Sequence, residues 1–522
     1  METQVLIIGG GVTGTGIARD LSLRGMNVIL IEKQDLNAGA SGGNHGLLHS
    51  GARYVCADPE AAVECSDELK IIKRTAGHCV EETGGFFVAV PGDDERYIAD
   101  FPQMCSAAGI PFKKIDVKDA RQMEPALSCE TIAVYEVNDA SINPFKLSIE
   151  NMNHAVSLGG QYFSYCMLQG FEIKNKKICC AKIQNTINNE TFYIKADTYI
   201  NASGAWAGHV ASLANIPISM VFSKGSLLVT SKRITKRVIN RLRKATDGDI
   251  LVPGGVVSIL GTTSLRIDSP DNIFPTVDEV DQIISQGEQM IPSLGTCRYV
   301  RAYSGVRPLV SRGGPGDRTD DREVSRGFTL IDHEPDGVDN FVTITGGKLT
   351  TYRLMAEKTS DIICQKLKVH SKCQTNLLAL PSTKSGEWSE PGVGISKSFG
   401  VKADNDPVLC ECEMVPASAI DTIIDSIKSN KGNPDLTSIA LRSRVGKGPC
   451  QGSFCSVRII SHLYNIDEIT QARGIDDLRK FLNERWKGEQ SLLWDQAIVQ
   501  SSLKEMIHCG VFGLECKPQR GL

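Results

Sequence analysis

The chain opens on a continuous apolar run, Gln4-Val5-Leu6-Ile7-Ile8, followed directly by glycines. A run of this kind without alternation predicts a strand buried on both faces, as in a parallel sheet. From Val12 to Arg24 the apolar Val12, Ile17 and Leu21 and the small Gly16 and Ala18 share one helical face, and Gly25 marks its end. Val28-Ile29-Leu30-Ile31 predicts a second buried strand ending at Glu32, which completes a βαβ unit. Further strands are expected at Thr198–Ala202 and Phe341–Thr345, the latter leading into a helical pattern from Leu349 to Lys358. Residues 86–144 and 222–263 have a more strand-like pattern with fewer nucleotide-binding signals, as expected of a second, inserted domain. From Thr383 to Asp406 the chain is rich in Ser, Gly, Pro and Lys without a sustained period, which predicts an irregular linker. The stretch containing "DDLRKFLNERWKG" has a helical pattern, and no internal repeat is present.

These patterns divide the 522 residues into an oxidoreductase-like body at 1–365, a linker at 366–406, a cysteine-bearing segment at 407–460 and a helical tail at 461–522. The 57 basic and 61 acidic residues give a net charge of -4, so bulk electrostatics point neither to nucleic acid nor to an acidic membrane surface. Any anion site must be local. The start Met1-Glu2-Thr3 lacks the basic and apolar pattern of a secretion signal, and no apolar run approaches the roughly 20 residues that span a bilayer. A cytoplasmic protein is expected, with any membrane contact made through partners. The 17 cysteines are scattered without a small-domain disulfide framework and read as reduced thiols.

Gly9, Gly11 and Gly14 form GxGxxG between a strand and a helix, with acidic Glu32 ending the next strand. The glycines permit a tight turn, close approach of backbone to a pyrophosphate and close helix–strand packing, while Glu32 can accept from a ribose. The fingerprint serves FAD and NAD alike. Two later segments favour FAD. "INASGAWAG", with Gly204 and Ala205, and "ITGGKLTTYRLMAE", with Gly346 and Gly347, resemble the glycine/D-amino-acid oxidase superfamily. In the second, a helix N-terminus follows the glycine pair and can stabilise negative charge on a reduced flavin.

Four segments together, "NHGLLHSGARYV", "RAYSGVRPLV", "VSRGFTLIDH" and "GGKLTTYR", resemble the FAD-dependent glycerol-3-phosphate dehydrogenases. "DILVPGG", "LGTTSLRID" and "FLNERWKG" match the A-subunit pattern of the anaerobic members, so the likeness spans nearly the whole chain. The resemblance implies an α/β fold: a Rossmann-like FAD-binding domain, an inserted antiparallel substrate domain, and a small α-rich C-terminal domain. It implies oxidation of sn-glycerol 3-phosphate, with Arg53, Arg307 and Arg326 around the phosphate and Tyr54 and Lys348 close by. Arginine offers phosphate a rigid fork of donors, and a dianion taken from water needs more than one cation. Alone, each arginine reads as a surface or structural ion pair. Candidates for the chemical step are His49, Arg307 and Lys348. His49 could accept the hydroxyl proton or pack against flavin, and His45 and Lys348 are the other possible bases. Aerobic relatives carry a histidine in the segment corresponding to "DGDILVPGG", and this chain has none there, so proton-transfer roles do not carry over directly.

Cys410 and Cys412 form CxC, and Cys450 and Cys455 form CxxxxC. Four thiolates suit either zinc or a [2Fe–2S] cluster, although CxC is less typical of zinc. The segment resembles the bacterioferritin-associated-ferredoxin type of [2Fe–2S] domain, in which Gly446, Gly448 and Gly452 would let backbone N–H groups face the sulfurs. Such a cluster would pass electrons singly to partner subunits and quinone, with the chain held peripherally on the inner face of the cell membrane. Two other readings are an amine- or hydroxyacid-oxidising flavoprotein with a cluster domain, and a non-catalytic electron-transfer subunit.

Overall fold

Residues 1–310, 327–385, 406–429 and 432–515 are described by a computed structural model. Its first unit is β1 (Glu2–Ile8), α1 (Val12–Leu23) and β2 (Val28–Ile31). The two strands are parallel, with Val5 opposite Val28 and Ile8 opposite Ile31. The other edge of β1 pairs in parallel with the C-terminal half of Thr191–Asn201, which pairs in parallel with Phe341–Gly346. β2 pairs in parallel with Gln161–Phe163. Three antiparallel strands complete an eight-stranded sheet. The uninterrupted apolar runs of β1 and β2 follow from this position, because helices or loops cover both faces. Gly16 of α1 lies against the Tyr352 ring, 3.0 Å from where a Cβ would stand.

The nine-stranded second sheet comprises Gly85–Ala89, Phe112–Ile115, Ala133–Val137, Met220–Thr230, Val238–Arg241, Ile250–Gly254, Val257–Gly261, Leu265–Ile267 and Tyr299–Val310. Its pairs are antiparallel except that of Val238–Arg241 with Gly85–Ala89. The sheet draws on more chain than residues 86–144 and 222–263, since Tyr299–Val310 pairs along the whole length of Met220–Thr230. That strand is hard to see in sequence because Arg301, Ser304, Gly305 and Arg307 interrupt its apolar alternation.

Another difference lies beyond Phe341–Gly346. Its following helix begins at Tyr352 rather than Leu349, because Gly346 and Gly347 take φ of +82° and +69° and Lys348–Thr351 forms a turn. No helix among the described residues is long and apolar enough to cross a membrane.

The C-terminal residues form a short hairpin and the helices Ala417–Ser429, Leu436–Arg442, Cys455–Asn465, Gln471–Lys487 and Gln496–Glu505. Isoleucines at 420, 423, 424 and 427 have helical spacing and meet Ile459, Leu463 and Phe481 in a separate core. The module is fastened to the first sheet by Arg442, which pairs with buried Asp35 and donates to the Tyr162 hydroxyl at 2.9 Å. Against the second sheet, the Ala302 N–H donates to the Gly488 carbonyl at 2.7 Å.

Candidate active site

A cavity of about 900 Å³ runs from the β1–α1 turn to the face of the second sheet. At its first end Gly9 has φ +116°, and a Cβ there would stand 2.5 Å from the Ala202 carbonyl oxygen. A Cβ on Gly14 would overlap the Gly9 carbonyl oxygen. Gly11 is different: its φ is -73°, and its missing Cβ would meet only Ser41 Oγ, at 3.0 Å. The space beside Gly11 is therefore kept for something other than protein. Glu32 accepts from the Gly10 N–H at 2.7 Å and the Gln34 N–H at 3.0 Å, while burial pushes its carboxyl upward in pKa.

Farther along, Gly204 has φ +58° and its carbonyl accepts from Thr345 Oγ1 at 3.1 Å, joining two of the glycine-bearing segments. Ala205 is buried beside it. A Cβ on Gly347 would overlap the Met355 sulfur. The helix that follows has no side-chain cap at Thr351, and Gly346 to Leu349, just before its N-terminus, line this end of the cavity. These glycines, the neighbouring helix N-terminus and Glu32 fit FAD by the chemistry of the donor set.

The opposite wall carries the titratable groups. His49 is fixed through its N–H, which donates to Thr350 Oγ1 at 3.0 Å, and its Nε2 is 3.3 Å from the Tyr54 hydroxyl. Lys348 Nζ lies 4.9 Å from the Tyr54 ring centroid. Arg53 donates to Asp249 at 3.1 Å, while its buried Nη1 has no hydrogen-bond partner among the described residues. Arg307 donates to the Thr263 carbonyl at 3.1 Å and to the Thr262 hydroxyl. A Cβ at Gly225 would stand 2.5 Å from Arg307, so the glycine makes room for the guanidinium.

Burial, with Arg307 and Arg53 close by, pushes His45 down to about 3. Burial, His45, Arg53 and Lys348 push His49 well below its ordinary range. Both imidazoles are held neutral at pH 7 in a wall that also carries Arg53, Arg307 and Lys348. The structure thus brings His45, His49, Arg53, Tyr54, Arg307 and Lys348 to one wall, whereas Arg326 lies outside the described residues. Sequence reading did not identify Asp249, Thr262, Thr263 or Gly225 as supports. Asp249 stood inside the quoted "DILVPGG", and the acid in that segment was the available signal.

At the other candidate centre, the Cys455 thiol interacts with those of Cys410 and Cys450, and Cys412 interacts with Cys450. The contact with Cys455 is the main cause that lowers Cys410, and it helps bring Cys450 down to about 5. Backbone N–H groups of Glu413 and Gly446 face Cys410, and those of Gly452 and Phe454 face Cys450. Burial raises Cys412 to about 11. Gly446 and Gly452 have φ of +69° and +91°, and a Cβ on Gly448 would stand 2.5 Å from that of Cys412. The thiols run as a chain, Cys412 to Cys450 to Cys455 to Cys410, and no group of three or more His, Cys, Asp or Glu among the described residues is gathered closely enough for a metal ion. The donor set nevertheless suits a thiolate-bound metal centre, because N–H groups directed at sulfur stabilise its negative charge.

Residues 4–361 match the family model for FAD dependent oxidoreductases. The A subunit of the anaerobic glycerol-3-phosphate dehydrogenase of Escherichia coli (strain K12) is 42% identical, across 98% of this chain and 97% of that relative. This chain belongs to the family of anaerobic glycerol-3-phosphate dehydrogenase A subunits. The Haemophilus influenzae member is 39% identical, across 99% of this chain and 95% of the relative. In architecture, the family fold seen here resembles the glycerol-3-phosphate dehydrogenase from Bacillus halodurans complexed with FAD. The TM-score is 0.64 at 19% identity, over 95% of this chain and 96% of that one.

Proposed function

We propose that this chain oxidises sn-glycerol 3-phosphate to dihydroxyacetone phosphate with FAD as the immediate acceptor. The observation that carries the reading is the cationic wall, where Arg53 keeps a buried Nη1 without a partner among the described residues beside Arg307 and Lys348. A carboxylate substrate would need one such cation. A phosphate dianion uses several, each through charge-assisted hydrogen bonds. Arg53, Arg307, Lys348 and Arg326 would hold the phosphate. The hydroxyl proton would pass to the neutral His49, which Tyr54 orients, as the carbonyl forms. When bound, FAD supplies the acceptor for the hydride leaving the secondary carbon.

Cys410, Cys412, Cys450 and Cys455 would hold a [2Fe–2S] cluster, with zinc as the alternative metal. When bound, the cluster supplies one-electron transfer. The relatives' designation as one subunit of an enzyme supports electron delivery to partner subunits, and quinone is the proposed final acceptor. The helix Gln496–Glu505 supports a partner: it buries none of its residues and leaves Ile498, Val499 and Leu503 at 51, 67 and 50% exposure. Partners would hold the chain peripherally on the cytoplasmic face of the membrane.

Anaerobic mixing of the purified protein with substrate tests the assignment. Glycerol 3-phosphate is expected to bleach the flavin rapidly, while glycerol, 2-hydroxy acids and amino acids leave it oxidised. Bleaching by an amino or hydroxy acid instead would assign an amine- or hydroxyacid-oxidising flavoprotein, and no bleaching by any of them a non-catalytic electron-transfer subunit. Iron analysis and EPR of the reduced protein test the cysteine centre.

A further inference from the structure

Behind Arg307 lies a buried ion pair that does not itself reach the cavity. Lys224 Nζ is 2.8 Å from Glu279 Oε2, both side chains are buried, and neither residue lines the cavity. A buried pair of this kind contributes little more to stability than two well-packed apolar side chains would. What it supplies, and an apolar pair cannot, is a set of fixed hydrogen-bond acceptors.

Both oxygens of the carboxylate are engaged. Glu279 is the third residue of the helix Val277–Met290, and its Oε2 also accepts from the Thr276 N–H at 3.0 Å and the Thr276 hydroxyl at 3.2 Å, in a capping box. Its Oε1 accepts from the hydroxyls of Thr263 and Ser226, each at 2.9 Å. The Thr263 hydroxyl accepts in turn from the Ser226 N–H at 2.9 Å. Thr263 is thereby held on one side by the strand Met220–Thr230 and on the other by the helix. It lies in the turn between Val257–Gly261 and Leu265–Ile267, where its carbonyl and the Thr262 hydroxyl accept from the two terminal nitrogens of Arg307.

We propose that Glu279 is a positioning residue for substrate: through the Thr263 hydroxyl it fixes the carbonyl on which Arg307 rests, and so sets the direction in which the guanidinium meets the phosphate. This rests on the reading of Arg307 as a phosphate ligand given above. A guanidinium fork gains its full interaction with phosphate only when its N–H groups are aligned with the oxygens. Lys224 balances the carboxylate's charge, so the pair acts on Arg307 through geometry rather than through its field.

The test uses two full-length double variants that each remove both charges of the pair. Lys224→Met with Glu279→Gln keeps an oxygen for Thr263 and Ser226, whereas Lys224→Met with Glu279→Leu does not. Thr263→Val removes the hydroxyl while the ion pair stays, and Thr263→Ser restores it. The leucine variant and Thr263→Val should each raise KM for glycerol 3-phosphate, and the inhibition constant of inorganic phosphate, about tenfold with kcat and flavin content unchanged. The glutamine variant and Thr263→Ser should stay near wild type. In an Arg307→Ala background the leucine change and Thr263→Val should add no further loss. If Arg307→Ala weakens substrate use but flavin-replete Thr263→Val keeps the wild-type KM, this inference alone is overturned, as it is by an undiminished loss in the Arg307→Ala background. Unchanged kcat/KM in Arg307→Ala would overturn the phosphate reading and this inference together.

Discussion

The flavin cavity and the cysteine loop both perturb the groups that titrate in them, yet they do so in opposite ways. In the cavity, burial first and then Arg307 and Arg53 depress His45 to about 3. In the loop a neighbouring thiol is the main cause, since contact with Cys455, helped by the Gly452 and Phe454 N–H groups, holds Cys450 at about 5. A site for a ligand that comes and goes keeps open volume beside its cations. A site for a resident anionic group builds its donors into the fold.

The largest expected effect separates the two sites at the cofactor. Gly11→Val should yield folded protein devoid of flavin, because its side chain fills space that only Ser41 borders, whereas Gly14→Ala should impair folding through the clash with Gly9. Flavin content measured beside thermal melting distinguishes the outcomes. A flavin-replete Gly11→Val protein would end the fingerprint reading.

Cys412→Ser should abolish the metal centre and transfer to a physiological acceptor while leaving substrate bleaching of the flavin intact, since a serine oxygen is a poor replacement for thiolate. Metal analysis with stopped-flow reduction checks this. Unimpaired transfer after loss of the centre would make the C-terminal module structural and break the contrast between the sites.

Arg53→Ala should lower kcat/KM for glycerol 3-phosphate by about 2–4 kcal/mol in transition-state terms and spare flavin content. Asp249 retains Arg243 at 2.8 Å and the Thr246 N–H at 2.6 Å, so the fold is not left with an unpaired carboxylate. Steady-state kinetics with flavin absorbance decides the point, and unchanged kcat/KM would move the phosphate site elsewhere.

The remaining test is on pH-dependent stability. His45 has a folded value of about 3 against 6.5 for the free side chain, so between those values the unfolded chain binds more protons. Stability should be full above about pH 6.5 and decline as pH falls toward 3, and His45→Asn should flatten part of that decline. Thermal melting across the range, without phosphate, tests it; an unchanged pH slope would show that His45 titrates normally.

The βαβ unit was legible because its signals are local: a buried strand, three glycines at fixed spacing and an acid closing the next strand all fall between Gln4 and Glu32. The two cysteine pairs were legible for the same reason. The long strand carrying Arg301 and Arg307 was not, because its exposed and half-buried positions break the apolar alternation. By itself the sequence determined which groups could meet a cofactor, a phosphate or a metal. Only the tertiary structure decided which residues hold those groups in place. Asp249 reaches Arg53 across 196 residues, and Thr263 reaches Arg307 across 44. Electrostatic partnership depends on distance and burial in space, and neither is encoded in any local period of the chain.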